Sequence, residues 1–154
     1  MRRLETILIL IVVAGALCAA SYRELMVFKA GLTVSSGNVT ISDSYLLQEV
    51  AAGVTAAGTT VADATQLAAT INAVTTVAAS TGVKLPAAAV GATVVVQNLG
   101  ANNLEVYPPD ASGVLNAASA GEGITLAAAT DDILTCYKTA TNKWICSLGA
   151  GPAT

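Results

Sequence analysis

Few residues in this chain could do covalent or metal chemistry. There is no histidine among the 154 residues. That removes Ser–His and Cys–His nucleophilic pairs and histidine metal sites. The three cysteines, Cys18, Cys136 and Cys146, lack zinc-site spacing. Asp131-Asp132 is the one adjacent pair of carboxylates. Neighbours on a strand point to opposite faces, so they make a poor acid–base couple, and a solvated turn is the better reading. No phosphate-cradling loop, no GxGxxG after a strand and no GxSxG is present. Tyr107-Pro108-Pro109 reads as an aromatic closing a strand before a rigid corner, because proline cannot donate to a ladder. The residues point away from an enzyme, with no catalytic residue, cofactor, metal or small-molecule substrate.

The elements that carry these residues fall into two compositional regions. Thr6 to Tyr22 holds no charge, and Ile7 to Ala20 is apolar throughout. Arg2 and Arg3 precede this stretch; Arg23, Glu24 and Lys29 follow it. It sits at the lower limit of about 17 residues for a bilayer-spanning helix. Three readings compete: a secretory signal peptide, with Cys18-Ala19-Ala20 as a small-residue cleavage site, a retained single-pass anchor, and a helix buried in an assembly. The retained helix is preferred, with Ile7, Leu8, Ile9, Leu10, Ile11, Val12, Val13 and Leu17 as its gripping residues. From Leu4 to Lys29 it would be about 39 Å long. Glu5 loosely fits a pilin start, but the pilin processing signature is absent.

Residues 1–29 carry four basic and two acidic groups, and residues 30–154 carry three and eight. An acidic body with three scattered lysines lacks the electrostatic footprint for nucleic acid. The expected organisation is a hydrophobic helix over 1–30, a β-rich body over 31–148 and a flexible tail over 149–154.

Within the body, Leu32 to Ser42 reads as two short strands around Ser36-Gly37-Asn38. Tyr45 to Gly58 is ambiguous. Thr60 to Thr70 reads as a short helix, or a loop with one helical turn, because Val61, Ala64, Leu67, Ala68 and Ile71 share a face at helical period. Strands are expected over Ile71–Ala79, Ala92–Asn98, Leu104–Tyr107, Gly123–Ala127, Ile133–Lys138 and Lys143–Leu148. Turn residues separate them, among them Gly82, Gly91, Gly113, Gly121 and Thr141-Asn142. Short strands at this spacing predict a mainly β protein: an antiparallel sandwich or small barrel, jelly-roll-like, preceded by one long N-terminal hydrophobic α-helix.

A turn centred near Thr141 places Cys136 opposite Cys146. Leu134 and Cys136 would then share a core face with Trp144, Cys146 and Leu148. The two cysteines form a disulfide in an oxidising compartment, or remain two small buried thiols. Cys18 reads as a small hydrophobic residue in the apolar stretch.

The stretch from Asp63 to Ser147 resembles a β-rich domain of bacteriophage virion proteins, of the head-decoration, head-fibre or minor capsid type. The matching residues are Gly82-Val83-Lys84-Leu85-Pro86, Val94-Val95-Val96-Gln97-Asn98 ending in Gly100, Leu104-Glu105-Val106-Tyr107-Pro108, and the closing hairpin through Trp144. The resemblance covers a little over half the chain, and no functional site residue carries over. The resemblance implies a structural virion component: a minor capsid, cement or spike-base protein fixed by its N-terminal helix. Its partners would be other capsid proteins, and lipid where the virion has an internal membrane. Copies of itself, as a trimer, are expected because a body so poor in aromatics buries little area per side chain and association would bury more. The alternative is a cell-envelope protein, secreted or single-pass anchored, and pilin-like in its assembly.

Overall fold

The computed structural model describes residues 48–128 and 132–149. These belong to one compact unit, Tyr45–Thr154. The expected N-terminal helix and the hairpin over Leu32–Ser42 lie outside the described residues, as do residues 150–154 of the expected tail. Among the described residues there is no helix, and none is long and apolar enough to cross a membrane.

Ten strands build two sheets. The first six alternate between them. β1 (Val50–Thr55), β3 (Ile71–Thr76) and β5 (Thr93–Asn98) lie in the large sheet; β2 (Thr65–Gln66), β4 (Gly82–Lys84) and β6 (Leu104–Tyr107) lie in the small one. Within each sheet these three strands run parallel. Val50 pairs with Ile71 and Ile71 with Val95, steps of 21 and 24 residues. Parallel neighbours need a crossover of about a dozen residues or more. Here each crossover contains a strand of the opposite sheet, so the chain winds as a short two-sided coil.

The last four strands close that coil. β7 (Val114–Leu115) and β10 (Lys143–Gly149) pair in parallel, while β9 (Ile133–Ala140) is antiparallel to both β5 and β10. β8 (Ile124–Leu126) is antiparallel to β6. The sheet orders are β1-β3-β5-β9-β10-β7 and β2-β4-β6-β8. The expected antiparallel, jelly-roll-like sandwich is therefore corrected to a pair of mixed sheets. The short strands and turn residues suit either topology; coil pairing is decided by contacts some twenty residues apart, which leave no local turn signature.

One core lies between the sheets. Period-two alternation sends Val74, Val94, Val96, Leu134, Cys136, Trp144 and Cys146 inward from the large sheet, and Val83, Leu104, Val106 and Leu126 from the small one. Leu148 departs from this face: it pairs with buried Leu134 yet is 53% exposed, because the buried run of β10 ends at Cys146.

The expected helix over Thr60–Thr70 is also corrected. Residues 61–63 form a turn and Thr65–Gln66 a strand. Ala64 and Leu67 are buried, but they reach the core from a turn and a strand end, while Ala68 is exposed. Asp63 Oδ1 ties the turn by accepting from Thr59 N, Thr60 N and Thr60 Oγ1. Gly58 starts it at φ +72°, where a Cβ would run into the Asp63 backbone.

Candidate functional site

Buried polar side chains could mark chemistry, but among the described residues the asparagines bind backbone, and the buried side-chain atoms left without a partner are Asn72 Oδ1 and Trp144 Nε1. Asn98 is fully buried at the end of β5. Its Nδ2 donates to the carbonyls of Asn102, Leu126 and Ala127, and its Oδ1 accepts from Gly100 N. One amide therefore fixes the corner between the sheets and the end of β8. Asn72, also fully buried, donates to Ala69 O at 2.8 Å and Val95 O at 3.3 Å. Asn116 sits at φ 54° just after β7. Its side chain continues the ladder: Cys146 N donates to Oδ1 at 2.7 Å, and Nδ2 donates to Cys146 O at 3.0 Å. Gln66, Lys84 and Asp110 likewise tie carbonyls or amides.

Asp63 and Asp110 are exposed carboxylates held below the ordinary value of 3.8. The first cause is the Thr60 hydroxyl for Asp63 and the Ser112 hydroxyl for Asp110. Both shifts come from turn bonding. Among the described residues no group of three Cys, Asp or Glu side chains could hold a metal ion. Of the acidic pair, Asp131 lies outside the described residues; Asp132 is half-buried and its carbonyl accepts from Asn98 N.

Cys136 and Cys146 are directly opposed on β9 and β10 and joined by a disulfide. Both are buried beside Trp144, whose ring carries the Lys138 ammonium 5.6 Å from its centroid. The disulfide staples the hairpin that closes the large sheet. The gripping residues expected between Ile7 and Leu17 lie outside the described residues.

What remains is surface, and the outward face of the six-stranded sheet is the wider of the two sheet faces. The registers place Val50, Ile71, Val95, Thr135 and Ser147 in one cross-strand row, and Thr93, Tyr137 and Ile145 in another. Tyr137 is 50% exposed and Ile145, directly opposite, 42%; Val50 and Ile133 are also exposed. The six strands contain two charged residues, Lys138 and Lys143, and no acid. Composition alone left this face hidden, since its parallel rows arise from coil pairing. The one repeat signal lies in the small sheet, where Val83-Lys84 and Val106-Tyr107 pair in parallel in β4 and β6 and mark the coil, not the large-sheet face.

No known protein family, curated protein or solved structure matches this chain.

Proposed function

We propose that this chain is a structural, non-enzymatic virion component of the minor capsid, cement or spike-base kind, which assembles with its own copies through the outward face of the large sheet. The observation that carries the reading is the distribution of charge on that face. Identical copies bring identical charges together, and like charges held close repel. The described acids, Glu49, Asp63, Glu105, Asp110, Glu122 and Asp132, all lie off the large-sheet strands. The face bearing Tyr137 and Ile145 is thus where two acidic bodies can meet without carboxylate repulsion. Aromatic and branched side chains there supply area. Polar groups tied to backbone and a stapled hairpin suit a passive part. The resemblance of Asp63 to Ser147 to phage virion domains supports the same reading, and the apolar stretch Ile7–Ala20 would attach the body to lipid or capsid protein.

The test is particle composition. Virions purified from cultures carrying the gene are separated on a density gradient and their proteins quantified by mass spectrometry. The account expects the chain to co-migrate with capsid protein at a fixed ratio through successive gradients. Recovery solely in the cell-envelope fraction would overturn it in favour of an envelope protein.

A further inference from the structure

The outward face of the small sheet differs in chemistry. A cleft of about 600 Å³ runs along it and adjoins a second of about 460 Å³; Thr59, Glu105 and Tyr107 line both. Together they make one elongated groove. Three of its polar side chains are each held by one atom, leaving another unused. Glu105 Oε2 accepts from Thr125 Oγ1 at 2.7 Å, and Oε1 has no hydrogen-bond partner among the described residues. Asn102 donates through Nδ2 to Val77 O, leaving its Oδ1. Asn103 accepts through Oδ1 from Ala128 N, leaving its Nδ2. The groove therefore offers fixed acceptors and a fixed donor, oriented before any ligand arrives.

Two backbone features keep the groove open. The Tyr107 ring lies against Gly82, where a Cβ would come within 2.6 Å of Cε2, and its hydroxyl donates to Thr59 O at 2.8 Å. The ring is thus pinned while part of it still lines the groove. Gly123 faces Glu105, and a Cβ there would lie 2.5 Å from Oε1. Ser80, at the other end, stands at φ 62°, a conformation that is uncommon for a non-glycine residue and frequent at ligand sites.

We propose that this groove binds a neutral, hydroxyl-rich ligand: a linear saccharide chain. Carboxylates at Glu105 and Glu122 disfavour an anion. The lining mixes polar and apolar surface in near-equal measure, which suits an amphipathic ligand better than a wholly apolar one. A bare cation would use acceptors alone and leave the Asn103 donor idle. A sugar hydroxyl donates and accepts at once, so neighbouring hydroxyls can answer Glu105 Oε1, Asn102 Oδ1 and Asn103 Nδ2 together. The apolar face of a sugar ring matches the accessible part of Tyr107. This site is separate from the assembly face, and either can exist without the other.

The experiment is calorimetric titration of the full chain, kept in a detergent without a sugar head group, with maltohexaose, cellohexaose and chitohexaose in turn. At least one should bind with a Kd of about 1 mM or tighter. Glu105→Ala and Asn103→Ala should each weaken it about tenfold, at unchanged circular dichroism. Glu105→Gln, which keeps an acceptor, should recover part of the loss. Val90→Ala, an exposed position outside both the groove and the large-sheet strands, should change nothing. The proposal is overturned if none of the three binds at about 10 mM. It is also overturned if binding survives both alanine substitutions, or if calcium chloride alone titrates the site while the sugars do not.

Discussion

The two sheets share one core and show the solvent opposite surfaces. The large sheet presents rows of Val, Ile, Thr and Tyr with no acid on any strand. The small sheet presents Glu105, Tyr107 and the amides of Asn102 and Asn103 around a groove. The inward faces are both mainly apolar, because both must fill the same space, though the large sheet also carries Trp144, the disulfide, Asn72 and Asn98. The difference teaches where selection on surface chemistry can act: outward positions are free of the core's packing demands. An acid-free face suits a second acidic copy, and a groove of mixed lining suits a hydrogen-bonding ligand with an apolar side.

The core is where the comparison should break down. Trp144, fully buried, belongs to the large sheet but sits in the cluster that serves both. Trp144→Ala should cost about 3–5 kcal/mol. Loss of signals from both sheets in a single urea transition checks it; separate transitions would mean that the sheets have separate cores.

The disulfide should act through the large sheet. Its cysteines lie 10 residues apart, so opening it frees a short loop and should cost about 2–3 kcal/mol. Hydrogen exchange on the Cys136→Ala/Cys146→Ala variant should show faster exchange in β9 and β10 first, with β4 and β6 less affected. Asn98→Ala should reach across both sheets. It removes the acceptor of Gly100 N and a donor to Leu126 O, at about 1–3 kcal/mol for a buried group left unpaired.

The smallest effect is confined to the small sheet. Burial, helped by Glu105 and Asp63, raises the Tyr107 phenol above 10.0. The native state holds that proton more tightly than the unfolded chain. Stability should therefore fall as pH rises from about 10 through the raised native value, and Tyr107→Phe should flatten that limb in pH-dependent urea melts. At acid pH the sign reverses. Asp63 and Asp110 are depressed in the native state, so what they contribute is kept above 3.8 and lost as pH falls through their lower native values.

Legibility in the sequence follows the range of the interaction. The ladder β5–β9–β10 has strong alternation, and Thr141-Asn142 marks the hairpin turn; Cys136 and Cys146 are equidistant from Thr141. Such antiparallel register is written in local residues. Coil pairing is not, since Val50 meets Ile71 and Ile71 meets Val95 only after the chain crosses to the other sheet and returns. β1 was obscure because Val50–Thr55 is small-residue rich and has a glycine at φ +79° in its middle. β2, β4 and β7 run two or three residues, too short for a period. The helical reading of Thr60–Thr70 arose because residues reaching one core from a turn and a strand end happened to fall at helical spacing. On the outer surfaces, Tyr137 opposite Ile145 follows from that hairpin register, while the other rows join residues far apart in the sequence.

The central claim is that the outward face of the large sheet joins copies of this chain. The most direct measurement is the mass of the full chain in detergent, by light scattering coupled to size exclusion, for the wild type and for Tyr137→Glu/Ile145→Glu. The account predicts a defined oligomer, a trimer, for the wild type and a folded monomer for the variant. A wild-type monomer, or an oligomer that survives two carboxylates placed at the centre of that face, would contradict it.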